Sequence, residues 1–455
     1  MSKASRSRPL VMQAEEVGVV AAMTHEGEGI VREGKTAFVA GALSGERVRF
    51  RRVKRHRQHD EAMLLELLEP AADRVVPRCA HFGLCGGCAL QHLDPASQIA
   101  AKQRELQDNL ERIARVTPDE WFEPMRGPAW NYRRRARLGV KYVVKKGRVL
   151  VGFRERLAPY IAQLSQCEVL SEPAGKLLTP LADMIMTLSI RDRLPQIEVA
   201  VADNAVALVV RVLATPTESD LITLRNFEAH HGLRLYLQPA GPESVHRLDA
   251  GPQGRGEEVP LNYRLPAFDL TLDFKPTDFI QVNSAINEAL VSRAVEILDP
   301  EPGSAVLDLY CGLGNFTLAL ARRAARVVGV EGDRELVLRG GENARRNGIT
   351  NAEFHMADLM QPVPGGASWL NSPYPYVLLD PPRAGAREML PTVARLAPKR
   401  VLYISCHPGS LSRDIGMLVH DHGFRLRAAG VLDMFPHTTH VESLAVLEPA
   451  SPSRI

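Results

Sequence analysis

The chain is predicted to be an α/β protein in three parts: a small N-terminal β-barrel over about residues 10–72, a mainly antiparallel β region over 73–270, and a parallel α/β sheet over 271–455. Three observations carry that reading. From about residue 275 onward, the short apolar runs SAVLDLYC, RVVGVE, AEFHMAD, YVLLD and RVLYISC are each followed by polar or helical sequence, the rhythm of a parallel sheet with crossover helices. Between about 15 and 70, the Val-rich runs VGVVAAM, TAFVAGAL and ERVRFRRV alternate with turns at Gly27, Gly29, Gly34 and Gly45, as in a small antiparallel barrel. Between about 125 and 265, RARLGVKYVV, GRVLVGF, QIEVAVADNAVALVVRV and LRLYLQP read as strands, with few long helical patterns among them.

A length of 455 residues exceeds what one hydrophobic core usually organises, and 45% hydrophobic with 24% charged residues is ordinary for a globular protein, so disorder is not the default. The opening MSKASRSRPL lacks the apolar stretch of a secretory signal, and no run of about 18 apolar residues follows, so a cytoplasmic protein without a membrane partner is expected. The net charge of +3 says little, but its distribution says more. Arg47, Arg49, Arg51, Arg52, Lys54, Arg55 and Arg57 crowd one strand of the barrel. Such a strand either attracts phosphates by counterion release or is a solvated face, and the residues alone leave both open. A barrel with a basic strand suits single-stranded or irregular nucleic acid.

Cys79, Cys85 and Cys88 follow the spacing C-x5-C-G-G-C, and Cys167 supplies a distant fourth thiol. In a cytosolic chain of this size a disulfide framework is not expected. Four sulfurs suit tetrahedral zinc or an iron-sulfur cluster, and spacing does not separate the two. The segment from Ser97 to Arg115 is helical in spacing through Ile99, Leu106, Leu110 and Ile113. A second basic patch, Arg133, Arg134, Arg135 and Arg137, adjoins the ring of Tyr132.

In the last part, VLDLYCGLGNFTLALA reads as a strand carrying Asp308, a turn with Gly312 and Gly314, and a helix. Glycine lets backbone approach a ligand closely. About twenty residues on, the strand RVVGVE ends at Glu331, where a carboxylate can bind ribose hydroxyls, and a third strand leads to Asp358, placed to meet an adenine. Acidic strand ends suit a cationic, phosphate-free nucleoside such as S-adenosylmethionine better than a dinucleotide. Three more motifs end strands with reactive groups: LLDPPRAG with Asp380, YISCHPGSL with Cys406, and MFPHTTHVESLAVL with Glu442. Taken singly, such a cysteine is more often a small buried hydrophobe, such an aspartate a helix cap, and such a glutamate an arginine's partner. Cys311 belongs to the glycine turn and is assigned no chemistry.

Together, DFIQVN, DLYCGLGNFTL, LLDPPR, SC followed by one residue and Pro, and FPHTTHVE resemble the RNA uracil-C5 methyltransferase family. The motif CAHFGLCGGC with Cys167, behind a barrel similar to the TRAM domain, resembles its branch that modifies 23S ribosomal RNA. The resemblance implies a Rossmann-like methyltransferase domain, S-adenosylmethionine as methyl donor, a [4Fe-4S] cluster on Cys79, Cys85, Cys88 and Cys167, and RNA as the partner of a monomer. It implies that Cys406 adds to C6 of a flipped-out uracil, that C5 takes the methyl, and that Glu442 removes the C5 proton. Cofactor contacts carry over to Gln281, Tyr310, Asn315, Glu331, Asp358 and Asp380, with Phe279 near a nucleobase and Asp380 at the uracil edge. A thiolate is the attacking species, so an environment lowering the pKa of Cys406 is expected. One residue departs from the family: His407 stands where Asn is usual.

Three competing readings are weaker. A transfer RNA uridine methyltransferase of the simpler branch would lack the barrel and the cysteine cluster. A radical enzyme would leave one iron without a protein ligand, whereas four cysteines are present here. A non-catalytic RNA-binding assembly factor would not need Cys406.

Overall fold

The computed structural model describes residues 14–249, 259–363 and 366–450; the basic opening MSKASRSRPL lies outside the described residues. Two compact units divide the chain. The first comprises residues up to Ala101 with the short segments Arg154–Pro159 and Pro436–Thr439, and the second comprises the rest.

In the first unit, β1 (Glu16–Met23), β2 (Glu28–Val31), β3 (Ala37–Ala40), β4 (Arg47–Arg55) and β5 (Asp60–Glu69) close into a barrel of order β1-β2-β3-β5-β4. Period-2 alternation sends Val20, Val31, Val39, Val48 and Phe50 inward, where they form a core excluded from water. At Gly29 an added Cβ would sit 2.8 Å from Val20 and 2.9 Å from Ala42, so only glycine lets these strands close. The basic strand is not bare. Arg47 pairs with Glu69 (3.2 Å), Arg49 with Glu66 (3.0 Å), Arg51 with Glu15 (2.9 Å), and Lys54 with Glu61 (2.8 Å). Arg52, buried, bonds both Glu16 (2.8 Å) and Asp60 (3.0 Å). Each of these five side chains is thus paired locally with an acid on β5 or at the start of the barrel.

Helix α1 (Pro95–Asn109) starts in the first unit and ends in the second, where a π-helical turn, Leu110–Ala114, continues it to Arg115 at φ 55°. The π turn inserts a residue, so Ala114 takes the buried position while the expected stripe residue Ile113 is 49% exposed.

After the short strand β6 (Glu120–Trp121), the second unit builds a six-stranded sheet from β7 (Arg135–Val143), β8 (Arg148–Gly152), β9 (Gln196–Val201), β10 (Val206–Arg211), β11 (Arg234–Gln238) and β12 (His246–Arg247), in the order β12-β11-β10-β9-β7-β8. Helices α2 (Leu178–Thr187) and α3 (Glu218–His231) accompany it. The sheet is mainly antiparallel as expected, except that α3 carries the chain from β10 to β11 in parallel. Thr217 and Asp220 form the capping box that starts this crossover helix. The basic patch here is paired too: Arg134 with Asp203 (2.6 Å), and Arg135 and Arg137 with Glu198 (3.7 and 3.1 Å).

A hairpin, β13 (Leu261–Leu265) and β14 (Leu270–Phe274), and helix α4 (Ser284–Leu298) precede the eight-stranded sheet. Here β15 (Ala305–Leu309), α5 (Thr317–Ala321), β16 (Arg326–Glu331), α6 (Arg334–Arg346), β17 (Ala352–Met356), β18 (Tyr376–Leu379), α7 (Leu390–Arg395), β19 (Arg400–Ser405), α8 (Pro408–His420), β20 (Phe424–Leu432) and β21 (Glu442–Pro449) follow in sequence. The sheet order is β17-β16-β15-β18-β19-β21-β20-β6. Strands β15 to β19 are parallel, and β21 inserts antiparallel beside β19. Because the chain goes from β15 outward to β17 and then returns to the other side of β15, the winding reverses at β15/β18, where such sheets open a crevice at the strands' carboxyl ends.

Candidate active site

At that reversal the sheet backbone sets three strand ends side by side. Residue Tyr310, just after β15, takes φ 65°, and Gly312 and Gly314 follow at φ 55° and 98°. An added Cβ at Gly312 would meet nothing within 4 Å, so the turn borders open space. Glu331 at the end of β16 holds the turn from below: its carboxylate accepts from Gly312 N (3.1 Å), Gly332 N (2.7 Å) and Asp333 N (3.0 Å).

Asp308 departs from the ligand-facing expectation. It is fully buried, accepts from Thr317 Oγ (2.6 Å), and burial pushes its carboxyl up to about 7, so it ties the glycine turn to α5 from within. Asn315 lies in a polar knot that sequence reasoning missed. It exchanges two amide hydrogen bonds with Asn287 (2.9 and 3.0 Å) and accepts from buried Tyr263 (2.9 Å). The signal was legible: Asn287 is a lone amide on the buried face of α4. Tyr310 donates to Leu359 O (3.1 Å), Asp358 is exposed and accepts from Met360 N (2.9 Å), and Gln281 is half-buried in the segment before α4, beside the 69% exposed ring of Phe279.

On the other side of the crevice, the register pairing Ser405 with Ser443 across β19 and β21 sets Cys406 and Glu442 next to each other at the strand ends. Asp380 ends β18, the strand adjoining β19, with its amide on Leu309 O (3.3 Å). The three groups feel one another. Burial, then Glu442 and Asp380, push the Cys406 thiol up to about 11, while the Arg383 guanidinium pulls it down. Burial, then Asp380, lift Glu442 to about 8 against the pull of Lys102. Burial alone lifts Asp380 to about 7. The expected low-pKa thiolate is therefore not a property of this pocket by itself. Two acidic neighbours outweigh Arg383, with the N-terminus of α8, two residues on, acting on the thiolate's side.

His407 answers its own departure from the family. Its Nδ1 accepts from Ser410 N (3.1 Å), making His407 the N-cap of α8, a position Asn also fills well. Burial, then Arg383 and Arg413, lower its pKa, which keeps the ring neutral and the nitrogen available as an acceptor.

Two further supports were not read from the sequence. Asp414 on α8, fully buried, accepts from Ala386 N (2.8 Å), Tyr403 OH (2.5 Å) and Arg413 Nε (2.8 Å), while Arg413 also donates to Ala384 O (2.7 Å). This fastens the turn after Asp380 to the helix after Cys406. Gly385, at φ 87°, has no room for a Cβ, which would lie 2.4 Å from Asp414 Oδ2. Behind Glu442, buried Lys102 bonds Asp433 (2.7 Å) and Phe435 O (2.9 Å).

The cysteine loop belongs to the first unit. Cys79, Cys85 and Cys88 are half-buried, Gly87 N donates to Cys85 Sγ (3.3 Å), and the loop is braced by Gly86 N on Arg154 O (2.8 Å) and Arg156 N on Leu84 O (2.9 Å). Cys79, Cys85 and Cys88 thus supply three sulfur donors from one loop. Among the described residues no group of three or more His, Cys, Asp or Glu is disposed to hold a metal ion. Cys167 belongs to the second unit, its amide on Gly175 O (2.8 Å).

Five parallel strands, a glycine turn at the point of reversal and an antiparallel pair beyond it define the class as Rossmann-like methyltransferases. The tRNA (uracil-54, C5)-methyltransferase of Pyrococcus abyssi, solved in complex with S-adenosyl-L-homocysteine, has the same fold. It aligns with a TM-score of 0.73 over 95% of this chain and 100% of its own, at 23% identity. The chain belongs to the RNA uracil-C5 methyltransferase family. The family model described as tRNA (Uracil-5-)-methyltransferase matches residues 261–359 and 370–450. Similar along nearly its whole length is the 23S rRNA (uracil(1939)-C(5))-methyltransferase RlmD of Alkalilimnicola ehrlichii, 50% identical over 97% of this chain and 98% of the relative. The protein of the same name from Methylococcus capsulatus is 47% identical over 98% of this chain and 100% of the relative. No helix of the described residues is long and apolar enough to cross a membrane.

Proposed function

We propose that this chain methylates C5 of a uridine in 23S ribosomal RNA, the uracil 1939 for which its relatives are named, with S-adenosylmethionine as donor and Cys406 as covalent nucleophile. The observation that carries the reading is the β19/β21 register, which sets a thiol and a buried carboxyl side by side at the mouth of the cofactor crevice. Bound S-adenosylmethionine supplies an electrophilic methyl. Cys406, as the thiolate, forms a bond from Sγ to C6 while the C5=C6 electron pair moves to the enolate at O4, and that pair returns through C5 to take the methyl as the sulfonium S–CH3 bond breaks and S-adenosylhomocysteine leaves. The Glu442 carboxylate then takes the C5 proton, the S–C6 bond breaks, and the thiolate leaves as C5=C6 re-forms. Asp380, between the two halves of the crevice, is assigned to the uracil edge as well as the cofactor.

For the cofactor we assign Tyr310, the open turn at Gly312, Asn315 and Gln281 to the methionine side, with Glu331 on the ribose and Asp358 on the adenine. The parts 10–72, 73–270 and 271–455 are assigned to RNA-binding barrel, central region and catalytic domain. A [4Fe-4S] cluster on Cys79, Cys85 and Cys88, which the resemblance completes with Cys167, is assigned a folding or RNA-positioning role, since methyl transfer moves no net electrons. The chain is assigned as a monomer.

Mapping 5-methyluridine in cells lacking the chain tests the substrate. Loss at uracil 1939 of 23S RNA, restored by the parent chain and not by Cys406→Ala, is expected; loss from transfer RNA alone would overturn the assignment.

A further inference from the structure

Between Pro124 and Phe153 the sequence holds nine Lys and Arg and no Asp or Glu. The fold treats the two halves of this run differently. In the first half, Asp203 and Glu198 pair with Arg134, Arg135 and Arg137, Arg133 donates to Arg135 O (2.9 Å), and only Arg126 is exposed without an acid. The second half lies on the β7–β8 hairpin, closed by a 3-10 turn over Val144–Lys146 with Gly147 at φ 58°. Lys141, Lys145, Lys146 and Arg148 are exposed there, and among the described residues none of them has an ion pair or a side-chain hydrogen bond.

The hairpin is a firm support. Leu138, Val140, Val149 and Val151 are buried at its base, and Arg191 stacks over Tyr142 at 5.3 Å from the ring centroid. Strand β8 is the edge strand of its sheet and pairs with β7 alone. Counterion release rewards cations that no carboxylate has already compensated. By that measure the cation-rich β4, whose Arg47, Arg49, Arg51, Arg52 and Lys54 are each paired with an acid, is a poor phosphate site, and the hairpin tip is a good one.

We propose that Lys141, Lys145, Lys146 and Arg148 at the tip of the β7–β8 hairpin grip the phosphodiester backbone of the RNA substrate. This deepens the proposed function and rests on RNA being the substrate. The contact is to backbone, so it positions the RNA and reads no sequence.

The test measures affinity of the full chain for an unmodified 23S ribosomal RNA transcript across a range of salt concentrations. The variant K141Q/K145Q/K146Q/R148Q removes four exposed charges without touching the core. Its log-affinity against log-salt slope should be shallower by about 3, from roughly 0.7–0.9 per lost phosphate contact. The paired-strand variant R47Q/R49Q should keep the parent's slope. A hairpin variant with the parent's slope, or an equal loss per charge from both variants, would overturn the inference. A parent chain that binds the transcript but never methylates it would instead count against the proposed function and leave this contact standing.

Discussion

At the scale of single residues, the site keeps three carboxyls protonated more readily than water would. Glu442 titrates near 8, above its usual 4.5, chiefly because burial penalises the charged form. A group that holds its proton more tightly when folded contributes stability that is fully present below the unfolded value and is lost as pH rises through the folded one. Stability from Glu442 should therefore drain away between about pH 4.5 and 8, the window in which the base becomes competent. Glu442→Gln removes that penalty. It is predicted to abolish methylation while raising unfolding stability by roughly 1–3 kcal/mol at pH 8.5 and by little at pH 4.5. Denaturant unfolding at the two pH values checks this, and equal effects at both would contradict it. His407 carries the opposite lesson: its departure from the family's Asn looks chemical in the sequence and is a helix cap in the structure.

At the scale of elements, the clamp between α8 and the turn after Asp380 joins the nucleophile's helix to the cofactor side. Helix α8 buries Leu411, Ser412, Asp414, Ile415 and Leu418, and on the stripe 411, 414, 415, 418 the aspartate is the one charged member. That anomaly was legible as a polar residue on an apolar face, but its partners, Ala386 N in the turn after β18 and Tyr403 OH on β19, are groups that only the fold brings near. Asp414→Asn keeps one acceptor and loses the charge. It is predicted to cost about 2–3 kcal/mol and to slow methylation at saturating RNA at least tenfold, with RNA affinity changed less than threefold. An unchanged single-turnover rate would contradict a positioning role. The barrel strands, the apolar strand runs and the helix from Ser97 were legible in the sequence, whereas helices α2 and α3, the π turn that rotates Ile113 outward and the parallel β10–β11 step were not.

At the scale of the whole molecule, the motifs at strand ends were readable because a doubly wound sheet collects its strands' carboxyl ends into one crevice, whatever their distance in sequence. Charge was less readable. In the two arginine-rich segments that promised phosphate binding, Arg47, Arg49 and Lys54 pair with acids on β5, and Arg135 and Arg137 with Glu198 on β9, information that lives in the register of β4 with β5 and of β7 with β9. The same pairing logic explains why a covalent mechanism has to be judged on the assembled site, since the thiol alone, near 11, is a weak nucleophile at neutral pH. The most direct measurement is trapping of RNA bearing 5-fluorouridine at the target position, in the presence of the methyl donor, followed across pH 7–9. The substituted base has no C5 proton to lose, so the bond from Cys406 should persist as a denaturation-stable protein–RNA adduct. It should form faster as pH rises and be absent with Cys406→Ala. No adduct from the parent chain, or an equal adduct from the Ala variant, would contradict covalent attack by this sulfur.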